Sequence, residues 1–165
     1  MNKVISLETY LQFLNEGKLM NWMKDLGLTI KDLYFEDSNC KKLRQIQDTM
    51  YLFHGTRPQY VSSIKSDGLL ISMANRRSRE ERVINISGRE PVIWLSSTYN
   101  KSSPEFGGAD KKIIMMIVKL ETKFLKNFLG STYKYYVDIP PKNIIWETNP
   151  LFMKIANKSP CLKIK

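Results

Sequence analysis

The stretch Tyr51 to Leu70, YLFHGTRPQYVSSIKSDGLL, constrains the fold more than any other part of the chain. It opens as an apolar strand, Tyr51-Leu52-Phe53, and breaks at His54-Gly55-Thr56 and Pro58. It resumes with helical spacing from Tyr60 to Lys65, which turns Ile64 toward a core shared with Leu69 and Leu70. Asp67-Gly68 ends that helix, because glycine adopts the left-handed conformation that stops one. His54 is the only histidine. Its ring donates or accepts, and Gly55 beside it lets a ligand approach the backbone. From spacing alone, however, an ordinary half-buried strand histidine is the better reading.

The remaining pattern divides the chain at about residue 50. Residues 1–50 read as a small helical segment. Ser6 caps a first helix, with Leu7, Tyr10, Leu11 and Leu14 at helical spacing. A second apolar set is Leu19, Met20, Trp22 and Met23, and a third segment from Ser38 turns Leu43 and Ile46 inward. Residues 51–165 read as one domain of strands, short helices and long loops. Val92 to Leu95 is a strand, and Lys112 to Leu120 is another, apolar without a break in its middle, as in a central strand buried on both faces. Glu121 to Leu129 reads as a short helix that turns Phe124, Leu125 and Phe128 inward and ends at Gly130. Thr132 to Asp138 and Asn143 to Trp146 read as strands. The tail from Thr148 is basic and poorly patterned. Strands without regular βαβ alternation predict an α+β fold.

The chain of 165 residues carries 26 Lys plus Arg against 16 Asp plus Glu, a formal charge of +10. That surplus favours a polyanionic partner, nucleic acid first. Cys40 and Cys161, far apart in sequence, form neither a metal pattern nor a disulfide framework, which predicts a reduced, cytoplasmic protein. No signal peptide is read at the start. The longest apolar run, Ile113 to Val118, is too short to span a membrane. No metal site is expected.

His54-Gly55-Thr56, then Pro58, Tyr60-Val61, Ser63-Ile64 and Gly68, resembles the first NAD-binding motif of the ADP-ribosyltransferase superfamily, in its diphtheria-toxin-like form. It is also similar to the opening motif of the NAD-dependent RNA 2'-phosphotransferases. The resemblance covers roughly Tyr51 to Trp146. It implies two packed antiparallel sheets with an NAD cleft between them, and NAD as co-substrate. It further implies that His54 bonds the nicotinamide ribose, that Gly55 bonds the carboxamide through its backbone, and that Thr56 and Tyr60 line the pocket. The family's next strand ends in Ser or Thr, here Ser96, and is followed by an aromatic that stacks on nicotinamide, here Tyr99 or Phe106. Leu95 stands where the family has a stacking Tyr.

The family's third element carries a Glu that holds the ribose. Matched from Gly130 to Val137, that position falls on Tyr135, with Asp138 and Glu147 the nearest acids downstream. A phenol bonds a hydroxyl but offers no full negative charge, which points to transfer of one unit only. Arg76, Arg77 and Arg79 open an arginine-rich loop that runs to Arg89, and their planar forks suit the phosphates of NAD or of a nucleic acid. The resemblance therefore implies a mono-ADP-ribosyltransferase, with nucleic acid preferred over protein as acceptor. Size and charge fit a toxin or defence effector, for which a protein inhibitor or antitoxin would be a partner. An RNA 2'-phosphotransferase-like enzyme ranks second; it lacks support from a second histidine. A non-catalytic NAD or nucleic-acid binding module ranks third.

Overall fold

The computed structural model describes residues 36–76, 91–99 and 112–164. The helices expected in 1–35, Phe106, Arg77 and Arg79 lie outside the described residues. The chain is α+β, as the pattern predicts. Its elements are α1 (Ser38–Ile46), β1 (Thr49–Thr56), α2 (Val61–Asp67), β2 (Ile93–Ser96), β3 (Thr98–Tyr99), β4 (Ile114–Glu121), β5 (Leu125–Leu129), β6 (Thr132–Tyr135), β7 (Ile144–Trp146), α3 (Pro150–Lys158) and β8 (Lys163–Ile164). Short 3-10 turns at Pro58–Tyr60, Ile71–Arg76, Thr122–Phe124 and Pro141–Asn143 join them.

Six strands form one antiparallel sheet in the order β5-β6-β2-β1-β4-β7. Its two halves meet at a single register pair, Phe53 opposite Ser96. Among the described residues the antiparallel strands thus form one sheet of two three-stranded halves, not two packed sheets. A separate parallel pair joins β3 to β8. The apolar run of β4 sits between β1 and β7, and Met115, Met116, Ile117 and Val118 are fully buried. That is the both-faces burial its continuous pattern requires.

Alternation assigns the two faces of β1. On one side Phe53 meets Tyr99 at 5.6 Å and Phe152 of α3 at 5.9 Å between ring centroids. Helix α3, expected as an unpatterned tail, buries Phe152 and Ala156, four residues apart on one face. Asn149 caps it by accepting from Leu151 N, and Pro150 takes the first turn, where no N–H is needed. On the other side of β1, His54 shares a cavity wall with Ser63, Ile64 and Asp67 of α2. Gly68 closes α2 with φ 81°, ψ −167°, and its backbone lies so near Ile139 that a Cβ would stand 2.1 Å from the Ile139 oxygen. Only glycine fits there. The neighbouring Leu69 and Ile139 exchange two backbone hydrogen bonds of 2.9 Å, which lock α2 to the sheet.

Three expectations are corrected. Glu121 to Leu129 is a 3-10 turn followed by strand β5, because β6 supplies a ladder partner. Asn127 donates to the carbonyls of Gly130 and Thr132, and Gly130 adopts φ 54°, so the segment turns as a hairpin. Ile46 is 67% exposed, and Cys40 is the fully buried residue of α1. Cys40 and Cys161 do not stand apart as thiols. Their Cα atoms lie 4.6 Å apart and the two are joined as a disulfide. Separation along the chain does not limit approach in space, and the pairing removes the ground for expecting a reducing compartment.

The same corner holds a polar cluster. Arg44 grips Glu36 with two bonds, Nε to Oε1 at 2.9 Å and Nη2 to Oε2 at 3.0 Å. The fully buried Tyr133 donates its hydroxyl to Glu36 Oε1 at 3.0 Å. Lys163 pairs with Asp37 and holds that carboxyl below its usual range. Together with the disulfide, these contacts fasten α1 to β6 and to the segment around β8.

Candidate functional site

His54 stands near the end of β1, where the chain turns through Pro58–Tyr60 into α2. The turn brings Tyr60, Ser63, Ile64 and Asp67 into the wall of a cavity of about 110 Å³ that His54 also lines. These four positions are i, i+3, i+4 and i+7, one face of a helical run. Leu69, Leu70 and Met73 close a second side, and Val92, Ile93 and Trp94 a third.

His54 is only 9% exposed, and its Nδ1 lies 2.8 Å from the Trp94 carbonyl oxygen. A carbonyl can only accept, so Nδ1 carries a proton. In the neutral ring Nε2 then carries the lone pair. The imidazole is thereby fixed in both tautomer and orientation by the backbone of the neighbouring strand. Asp67 is the carboxylate in the wall among the described residues, and its Oδ1 accepts from Ser66 Oγ at 2.8 Å. Lys65 lies 5.6 Å over the Trp146 ring, on the same side of the sheet.

The cavity has the scale of a single ring. An apolar cavity of about 150 Å³ takes up benzene, and pockets for larger ligands run to roughly 300 Å³ or more. Apolar walls carrying one imidazole, one phenol and one carboxylate suit a flat ring with polar substituents. Among the described residues, no cluster of His, Cys, Asp and Glu is placed to hold a metal ion.

The structure brings together only part of the expected site. His54 and Tyr60 share the wall. Trp94 shares it too. Thr56 lies on the His54 face of β1 but outside the wall; it is 1% exposed, and its Oγ1 has no hydrogen-bond partner among the described residues. Gly55, between them, faces the other way. Ser96 is used locally: its hydroxyl donates to the Thr98 carbonyl at 2.9 Å and accepts from Thr98 N at 3.1 Å. Tyr99 packs with Phe53 and Phe152 on the opposite side of β1, so it cannot stack on a ring in the His54 cavity. Arg76 ends the 3-10 turn that carries Met73.

Tyr135 is also displaced from its expected role. It stands opposite Ile93, itself a wall residue, yet its phenol turns to the end of β4. The hydroxyl accepts from Glu121 N at 3.1 Å, and the ring meets Phe124 edge-on. Burial pushes the Tyr135 phenol above its ordinary pKa, which keeps it a neutral core group. Asp138 is engaged as well, accepting from Ile71 N at 2.8 Å. Asp67 is the acid that sequence reasoning missed. Its signal was present, since it falls seven residues after Tyr60 on the face that bears Ser63 and Ile64. The chain matches no protein-family model and no curated protein.

Proposed function

We propose that the chain is an NAD-dependent mono-ADP-ribosyltransferase with a nucleic acid as acceptor. The observation that supports it best is the ring-sized cavity beside His54, with the imidazole fixed by Trp94 and with Tyr60 in the wall. On this reading the cavity takes the nicotinamide ring, and the remainder of NAD lies outside it. NAD supplies a ribose whose bond to nicotinamide breaks as C1' bonds to an acceptor oxygen or nitrogen, and the acceptor's proton is released. Nε2 of His54 accepts from a ribose hydroxyl, a role that its protonated Nδ1 leaves open. Tyr60 and Trp94 bound the ring. Nicotinamide departs as a neutral ring with the bonding electron pair, the positive charge passes to the ribose, and the Asp67 carboxylate supplies the opposing negative charge, since the Tyr135 phenol is turned elsewhere. The charge of +10 supports a polyanionic acceptor.

The test is to incubate the protein with NAD and single-stranded RNA or DNA, following nicotinamide release and the intact mass of the oligonucleotide. One ADP-ribose unit per modified strand is expected. His54→Ala should abolish NAD binding, read by calorimetry, with its circular dichroism spectrum unchanged. Asp67→Asn should lower turnover at least tenfold while changing NAD affinity little. Unchanged NAD affinity in His54→Ala overturns the assignment. Binding of NAD without turnover on any acceptor would leave a binding module in place of the enzyme.

A further inference from the structure

Cys40 and Cys161 are the only cysteines of the chain, and their bridge spans a sequence separation of 121. Both halves of the sheet and every residue of the His54 cavity lie between them. Cys40 belongs to α1, and Cys161 leads through Leu162 into β8. All three side chains are buried in the core. The other ties of the segment 161–164 are weaker in kind. The Lys163 side chain is 52% exposed where it pairs with Asp37, so water and salt screen that contact. β8 and β3 share two register pairs, Thr98 with Lys163 and Tyr99 with Ile164.

A bonded path leads from this corner to the site. Lys163 N donates to the Ser97 carbonyl at 2.8 Å, and Ser97 N donates to the Ser131 carbonyl at 2.9 Å. Ser97 directly follows Ser96, which stands opposite Phe53 at the register pair that joins the two halves. Two residues before Ser96, Trp94 offers the carbonyl that fixes the His54 ring. We infer that the Cys40–Cys161 bridge is a redox latch for the His54 site. With the bridge closed, the segment 161–164 holds Ser97 and so holds β2 at the seam. With it open, that segment keeps only its noncovalent ties, and β2 gains the freedom to draw the Trp94 carbonyl away from His54. The reductant is a dithiol. One of its thiolates attacks a sulfur of the bridge, and the other sulfur leaves with the bonding pair and takes a proton. The second thiol then resolves the mixed disulfide. The bridge thus gains two electrons and two protons, and the dithiol becomes a disulfide; the reverse exchange closes the latch. Because both sulfurs are buried, the dithiol reaches them only when the corner opens locally.

The experiment needs no NAD, so its outcome is separate from that of the transferase reading. Proton–nitrogen NMR of the labelled full chain reads one imidazole, because His54 is the only histidine. Spectra are compared for the oxidised chain, the chain reduced with dithiothreitol and the double variant Cys40→Ser/Cys161→Ser, with circular dichroism as the check on the fold. The oxidised chain should show the Nδ1-protonated tautomer with a slowly exchanging ring N–H. In the reduced chain and the double variant that N–H should exchange roughly tenfold faster or more. The tautomer balance should shift toward Nε2–H, with the circular dichroism spectrum kept. Reoxidation should restore the signals of the reduced chain. The reduced native chain serves alone if the double variant does not fold. A lower melting temperature with unchanged His54 signals makes the bridge a structural tie and overturns the latch. Loss of the whole fold on reduction overturns it too, since the bridge then holds the domain rather than the site.

Discussion

The two halves of the sheet use opposite strategies. In β1-β4-β7 the central strand is buried on both faces, with α2 over the His54 side and α3 over the Phe53 side. In β5-β6-β2 one face is core, while the other carries rings and lysines. The halves are joined by one register pair, Phe53 opposite Ser96. The first half therefore carries most of the fold's apolar burial, and the second is held to it largely from its core face. The cavity lies where they meet, with His54 from one half bonded to the Trp94 carbonyl of the other. A site assembled across such a seam responds to either half.

The largest expected effect breaks this comparison or confirms it. Ile117 is fully buried in β4, so Ile117→Ala should cost about 4 kcal/mol, the lost transfer free energy plus that of the cavity left behind. Phe128→Ala, on the half-buried face, should cost less, about 2 kcal/mol, because that ring is only partly removed from water. Urea denaturation with a shared m-value reads both. Equal costs would mean that the two halves contribute alike and that the outer face is core in all but position.

A middle effect tests the fastening of the outer half. Tyr133 lies in β6, and its hydroxyl reaches Glu36, which Arg44 also holds. Tyr133→Phe should cost about 1 kcal/mol, one hydrogen bond to a charged partner that keeps its other donors. Burial, then the Glu36 charge, pushes the Tyr133 phenol far above its ordinary value of 10.0. The sign follows from linkage. A raised folded pKa leaves this contribution intact below pH 10.0 and loses it as pH rises further, because the unfolded chain then gives up the proton first. The loss should approach about 1.4 kcal/mol per pH unit for one proton. Chemical denaturation from pH 9 to 11.5 should show a steeper loss in the native chain than in Tyr133→Phe, where only the raised Tyr135 phenol remains of this pair. Parallel pH curves for the two would remove Tyr133 from the account.

The sequence was most legible where one pattern acted alone. The unbroken run of β4, the strand-turn-helix around His54 and the stop at Gly68 are each set by neighbours in the chain, and each is found. The misses share a different cause. Helical spacing in Glu121 to Leu129 yielded to ladder partners three to ten residues downstream, a tertiary override of local preference. Cys40 and Cys161 meet only because α1 and β8 reach the same corner. At the site, His54 and Tyr60 follow from the motif, whereas Tyr99 and Tyr135 are displaced by aromatic and backbone partners invisible to spacing. Asp67 was readable from its helical face and was passed over as a helix stop.

The smallest expected effect on stability discriminates most sharply between the halves. In the central half, any polar substitution removes buried apolar area and must destabilise. On the outer face, Lys126→Glu replaces a like-charged cross-strand pair by an opposite one, facing Lys134. That exchange favours the sheet by a few tenths of a kcal/mol. It also removes the contact between Lys126 and the Tyr136 ring, which at an exposed site is worth about 0.5 kcal/mol. The two nearly cancel, so stability should stay within about 0.5 kcal/mol of the native chain. If stability instead falls by about 2 kcal/mol or more, as for a buried polar group, Lys126 is structural, and the two halves differ less than their faces suggest.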